Sequence, residues 1–290
     1  MYSSSIKHDH IITPYFTYLL AIVVAFASTK AYSNDGFEPL GARSSGLGGA
    51  SVSLSDEWSA GNNQAGLASL TKLSAAVFYS NPYFINTLST TAGTLLLPTK
   101  HGTIGLLITN FGYKLYHENK YALSFSKSFG NNLSIGLSFD YLNTRIADSY
   151  GNKNNFIGEL GVISKPVKNL SIGAHIYNPT LASFKNYNSE KLPTIIKIGA
   201  HYNFSEKLLV IIETEKDIDK PAIYKSGIEY QPSDLLTLRM GLNSIALLSS
   251  FGIGININHL TINISSHHHP TLGFSPQIGL IFSSSSKGNE

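Results

Sequence analysis

The chain has 290 residues, of which 42% are hydrophobic and only 13% charged, with a formal net charge of +3. Globular proteins carry about 25% charged residues; low charge with ordinary apolar content excludes intrinsic disorder, and so small a positive excess excludes a nucleic-acid-binding surface. The absence of cysteine excludes disulfide scaffolds, thiolate zinc sites and thiol catalysis, whereas the mean hydropathy of +0.02 is compatible with a membrane barrel of alternating strands.

The first element, Met1–Ser33, has a character of its own. Lys7 lies in a short polar start, Tyr15 to Ala27 is an uncharged apolar run, and Ala31 and Ser33 supply small residues for cleavage. That layout predicts a secretory signal peptide over 1–33, with an uncleaved anchor helix as the alternative. The apolar run is shorter than the roughly 20 residues of a spanning helix. Nothing downstream approaches such a run, so further membrane embedding requires strands.

Residues 34–71 do not alternate in polarity and are rich in Gly and Ala. The spacing of their glycines is wrong for a phosphate loop and no βαβ unit follows. The segment is expected to fold inward as a plug, or hatch, with Trp58, the only Trp, anchoring it to a wall.

From Leu73 onward the period is two. Leu133, Ile135, Leu137, Phe139 and Tyr141 share one face, and Ser134, Gly136, Ser138 and Asp140 the other. Gly130-Asn131-Asn132 joins this segment to the preceding one as a hairpin. The pattern predicts about 14 strands, most of about 9–11 residues, the length of a tilted membrane strand. They start near Leu73, Thr87, Gly102, Lys120, Asn132, Asn155, Asn169, Pro193, Lys207, Ala222, Leu235, Leu248, His259 and Thr271. Connections at Gly130–Asn132, Ser205-Glu206 and Pro232–Asp234 are short, whereas Asp148–Asn154 and Ser183–Leu192 read as longer loops.

The composition of the faces decides the fold class. A soluble sandwich carries many Lys and Glu on its solvent face, but here the polar face is mostly Gly, Ser, Asn and Thr. Phe129, Tyr141, Tyr202, Phe204, Tyr224 and Tyr230 lie near strand ends on the apolar face, where aromatic girdles form. The expectation is an all-β transmembrane antiparallel barrel over 72–283, a plug over 34–71 and a short tail over 284–290. Parity then directs Asp140, Glu159, Lys197, Glu213, Glu215, Lys225, Glu229 and Arg239 into the lumen. Charge on the lipid face costs roughly 2–4 kcal/mol at the midplane, so one-sided charge is required of a barrel. These residues serve either as ion pairs across the interior or as the lining of a substrate path.

Gly41-Ala-Arg-Ser-Ser-Gly-Leu-Gly-Gly-Ala50, then Asp56 and Asn63-Gln-Ala-Gly-Leu-Ala68, resembles the start of FadL-type outer-membrane proteins, particularly the PorV/PorQ branch. The residues carrying the likeness are Gly41, Arg43, Gly48, Gly49, Asp56, Asn63 and Gly66, whereas Gln64 stands where the family has Pro. Asp219-Lys220-Pro221, Gly227-Ile-Glu-Tyr230, Leu238-Arg239-Met-Gly241 and the closing run Leu272–Phe282 extend it along the chain. The resemblance implies a Gram-negative outer-membrane location and a plugged 14-strand barrel in which an apolar ligand binds and the hatch shifts.

No catalytic constellation, cofactor motif or metal-ligand spacing stands out. His175 and His201 share the inner face with several Ser, and read as hydrogen-bonded wall residues. His267-His268-His269 reads as a polar turn between the last two strands. The expected partners are outer-membrane lipid and either a hydrophobic ligand or a secreted-protein or secretion-system component, with no enzyme activity. Passage of a hydrophobic small molecule is the first functional reading. A non-transporting PorV-like role in type IX secretion or surface attachment, which calls for substantial external loops, is the second. Leu107, Leu209, Ile211 and Ile281 interrupt the polar inner face, and either line an apolar pocket or pack on the hatch.

Overall fold

The computed structural model describes residues 39–147, 152–182, 192–245 and 247–284. The expected signal peptide, residues 34–38 of the expected plug and the tail beyond 284 lie outside them, as do residues 183–191 of the second predicted long loop.

Fourteen strands close into one antiparallel barrel in sequence order. They are β1 (Ser74–Ser80), β2 (Thr90–Thr99), β3 (Gly102–Tyr113), β4 (Tyr116–Phe129), β5 (Leu133–Ile146), β6 (Asn152–Val167) and β7 (Leu170–Tyr177). They continue as β8 (Ile195–Ser205), β9 (Leu208–Asp217), β10 (Ile223–Tyr230), β11 (Leu236–Asn243), β12 (Leu248–Ile257), β13 (Leu260–His269) and β14 (Gly273–Ser283). The seam closes through β1 and β14, with Ala76 opposite Ile281. Closure gives every strand a paired neighbour on both sides, the condition under which a sheet can face hydrocarbon.

The alternation in the sequence is the alternation of the wall. Ala122, Ser124 and Ser126 of β4 are buried inside, whereas Tyr121, Leu123 and Phe125 are exposed outside. Val77, Leu137, Ile198, Ile212, Met240 and Phe251 are half or more exposed and continue that apolar surface around the barrel. An apolar surface so continuous has no stable contact with water, so the outward face is the lipid face.

Several sequence expectations need correction. β4 starts at Tyr116 instead of Lys120, and six of the fourteen strands, not most of them, have 9–11 residues. The second strand starts at Thr90 instead of Thr87, because Thr87 lies inside a short 3-10 turn over Asn86–Leu88. β6 starts at Asn152, which shortens the loop expected over Asp148–Asn154. The three histidines are no turn: they end β13, where Ser249 and Ser250 of β12 pair with His268 and His267.

Short turns lie at one end of the barrel (residues 100–101, 130–132, 168–169, 206–207 and 258–259), together with the start of β1 and the end of β14. The connections 81–89 and 178–194 lie at the other. Residues 39–71 fold into the interior as α1 (Ala42–Gly46), α2 (Ser59–Asn62) and a 3-10 turn over Gln64–Ser69. Leu47, Ala50, Val52, Trp58, Ala60 and Leu67 in it are buried to 1% exposure or less.

Candidate functional site

The interior is filled by contacts between this segment and the wall, and those contacts differ around the circumference. Along β5–β12 the wall presents glycine where the segment arrives. Gly136 and Gly161 face residues 63–65, Gly173 and Gly199 face Val52, Gly227 and Gly241 face Leu47 and Gly48, and Gly252 faces Gly46. A Cβ at Gly227 would lie 2.7 Å from the Leu47 carbonyl oxygen, closer than packed atoms allow. The inner-face glycines therefore seat the segment's backbone directly on the wall.

The residues of the N-terminal motif account for the other half of this seat. Gly41 and Gly48 have φ of 97° and 72°, which side-chain-bearing residues rarely adopt, and a Cβ on Gly48 would meet the Leu242 carbonyl oxygen at 2.5 Å. Gly49 has φ of 84°, and Gly66 fits against Ser59 and the Leu54 carbonyl. Asn63 is fully buried: its Nδ2 donates to the Val52 carbonyl at 2.5 Å and its Oδ1 accepts from Ala65 N. Asn63 also caps the 3-10 turn that Gln64 opens. Proline is tolerated at that first position because its missing N–H is unused there, so Gln64 leaves the backbone path intact. The Gln64 side chain adds a bond instead, with Nε2 donating to Glu159 Oε2 at 2.6 Å.

Three charge clusters tie the segment to β4–β13. In the first, Arg43 donates to both Glu229 oxygens, at 2.9 and 2.7 Å, and to Asp56 at 3.2 Å. Arg239 reaches the same Glu229 at 2.6 Å and Asn263 at 2.8 Å. Burial opposes the Arg43 charge, but the Glu229 and Asp56 carboxylates more than offset it, and its pKa lies above the ordinary arginine value. In the second cluster Lys225 pairs with Glu213 and Glu215 at 3.2 and 2.7 Å, and Lys197 lies 3.7 Å from Glu215. Glu213 Oε2 also accepts from the backbone N–H of Ser51 and Val52, at 2.6 and 2.7 Å. In the third, Lys120 pairs with Glu159 and, at 2.8 Å, with Asp140; His175 Nε2 lies 2.9 Å from Glu159. Every inner-face charge expected from parity thus sits in an ion pair. Lys120 was missed because it stands at the first position of the predicted strand, where parity with Ala122 and Ser124 was the only signal.

On β14, β1, β2 and β3 the contact is apolar except for one bond, in which Ser283 Oγ at the end of β14 donates to Glu57 at 3.4 Å. Ala42, Trp58, Ala60 and Leu67 of the segment pack on Ala76, Phe78, Ala92, Leu96, Leu107 and Ile281 of the wall. Trp58 and Phe78 meet edge-on, with ring centroids 5.6 Å apart. A smaller cluster joins Leu47, Ala50 and Leu54 to Ile211 and Leu209. The four apolar residues that interrupt the inner face therefore pack on the segment. At the short-turn end a polar cavity of about 710 Å³ opens beside Arg43, Ser55, His201 and Asn203. His201 Nδ1 lies 3.0 Å from Ser53 Oγ, and His267 Nδ1 lies 2.7 Å from Ser250 Oγ.

No family model matches the sequence, and no curated protein matches it. Solved structures do match in fold. The Pseudomonas putida toluene transporter TodX superposes with a TM-score of 0.64 at 14% identity, over 86% of this chain and 98% of that one. The Ralstonia pickettii toluene transporter TbuX gives 0.63 at 12% identity, over 85% and 97%. A Pseudomonas aeruginosa FadL homologue gives 0.56 at 13% identity, over 83% and 96%. At such identities the likeness establishes the shared 14-strand barrel architecture.

Proposed function

We propose that this protein passes small hydrophobic molecules across the outer membrane of a Gram-negative bacterium, with residues 34–71 as a hatch inside a barrel of residues 72–283. The observation that carries the reading is the apolar seam between the hatch and the β14–β3 arc. An apolar solute entering that seam replaces like contacts with like, at little cost. Opening the opposite side would strand buried charges, at about 3–5 kcal/mol for each broken pair. The filled lumen fits the same reading, because a water-filled pore offers an apolar solute no gain in free energy. The toluene transporters of the same fold, named for such cargo, support it further.

The narrower PorV/PorQ reading, a component of type IX secretion or surface attachment, calls for large external loops. At the end away from the start of β1 and the end of β14, connections 81–89 and 178–194 are the ones longer than five residues between described strands, which favours the transport side of the group.

The test is uptake of radiolabelled toluene by cells lacking their own hydrocarbon channels. Expression of this chain should raise the initial rate several-fold over the empty vector, and Ala76→Phe, which fills the seam, should return it to the vector level. No rise on expression, or a rise that Ala76→Phe leaves intact, contradicts the proposal.

A further inference from the structure

The outward face of β3–β6 departs from the rest of the apolar surface. Asn110, Asn119, Asn143 and Asn154 are direct cross-strand partners on four adjacent strands. Their side chains form an amide ladder across the wall: Asn110 Nδ2 donates to Asn119 at 2.7 Å, Asn119 to Asn143 at 3.5 Å and Asn143 to Asn154 at 2.6 Å. Asparagine is depleted in strands, and four in register on an outward face is not a packing solution. Each amide has two N–H donors, and the ladder uses one from each of Asn110, Asn119 and Asn143. An outward row near the same end of the opposite arc, Ser226, Leu242, Ser249, His268 and Phe274, carries no amide.

The rows above and below the ladder form a polarity gradient. One step toward the long-loop end, Arg145 pairs in register with His117 and Asn152, and Arg145 is exposed. One step the other way lies an aromatic shelf, where Tyr121 and Tyr141 stack at 6.1 Å and Tyr141 meets Phe156 at 5.2 Å. The Tyr141 hydroxyl donates up to Asn154 at 3.1 Å. Below the shelf an apolar groove of about 630 Å³ runs along Leu123, Leu137, Phe139 and Leu160, with Pro179 at its rim. The groove exists because Gly158 stands in line with Leu123 and Phe139 and contributes no side chain to that outward row.

The strand geometry matches membrane depth. From Tyr121 to Phe129 is eight residues, about 27 Å along a strand and about 20 Å in height at the usual tilt, close to the apolar band of such barrels. The ladder and Arg145 therefore lie at headgroup level and the groove among the acyl chains. Both chain ends of the barrel lie at the short-turn end, so the ladder faces the external leaflet.

We infer that the outward face of β3–β6 is a binding site for one phosphorylated glycolipid of the external leaflet. Arg145, beside His117, takes a phosphate, since the guanidinium fork matches phosphate oxygens. The amide ladder hydrogen-bonds saccharide hydroxyls, and one acyl chain lies in the Gly158 groove. The site is on the outside of the wall and independent of any route through the lumen.

Native mass spectrometry of the full protein in detergent, with added lipid A or phosphatidylglycerol, tests this. A 1:1 lipid A adduct should form in preference to phosphatidylglycerol. Arg145→Glu and Asn143→Leu should each weaken it about tenfold, and Gly158→Leu should weaken both lipids. These side chains point away from the lumen, so heat-modifiable gel migration should stay native and toluene uptake should not change, which separates failure here from failure of the transport reading. Absence of the adduct, equal retention by all variants, or preference for phosphatidylglycerol overturns the inference.

Discussion

The β5–β12 arc and the β14–β3 arc hold the same segment by different physics. On the first, backbone rests on backbone across glycines, and the buried Glu213 and part-buried Glu229 carboxylates take directional bonds from the segment. Such contacts are made in one geometry or lost. On the second, Trp58, Ala60 and Leu67 meet alkyl and aromatic side chains with no polar bond between them. Such contacts have no preferred direction and can be exchanged for those of a guest molecule. The difference teaches where the closed barrel can yield: it is bolted by ion pairs on the polar side and held mainly by packing on the apolar one.

Trp58, the only Trp in the chain, sits on the apolar side and reports the seating of the segment by its fluorescence. Breaking the polar side should have the largest effect. Glu229→Ala leaves Arg43 and Arg239 facing each other without their shared carboxylate, and should lower the stability of the seated segment by about 3–5 kcal/mol. Urea titration of Trp58 emission should show the loss. Leu107→Ala on the apolar side should cost about 2–3 kcal/mol through the cavity it leaves. That loss, unlike the first, should be largely recovered by saturating toluene, which fills the space.

Smaller changes sharpen the contrast. Gly173→Ala presses a methyl group onto the Val52 carbonyl and should cost on the order of 1–3 kcal/mol, with no recovery by toluene. The smallest effect is at Glu57, whose pKa is raised by burial and by the neighbouring Asp56. A carboxyl raised on folding destabilises once pH exceeds its unfolded value, and that cost vanishes as pH falls and the group is protonated in both states. Glu57→Gln should therefore stabilise the seated segment slightly at pH 7 and leave it unchanged in acid.

Much of this was legible in the chain because a strand has a period of two. Turn Gly130–Asn132 lies between β4 and β5 as expected, and parity sends Asp140, Glu159, Lys197, Glu213, Lys225, Glu229 and Arg239 inward. The partners of those charges were not legible. Arg43 meets Glu229 only after the segment folds through the barrel, and no periodicity encodes that contact. The inner-face glycines were visible as a pattern but not as a seat, since their meaning lies in what approaches them. The asparagine ladder was hidden for a related reason: its members are scattered in sequence and aligned only by strand register. His267–His269 misled because polar residues at a strand end look like a turn until the partner strand is known.

The central claim is that residues 39–71 close the barrel to water and ions while resting on an apolar seam. Conductance in a planar lipid bilayer tests it most directly. The full chain should conduct almost no ions, and deletion of residues 41–70 should open a steady pore. A full chain that conducts as freely as the deletion would contradict the account.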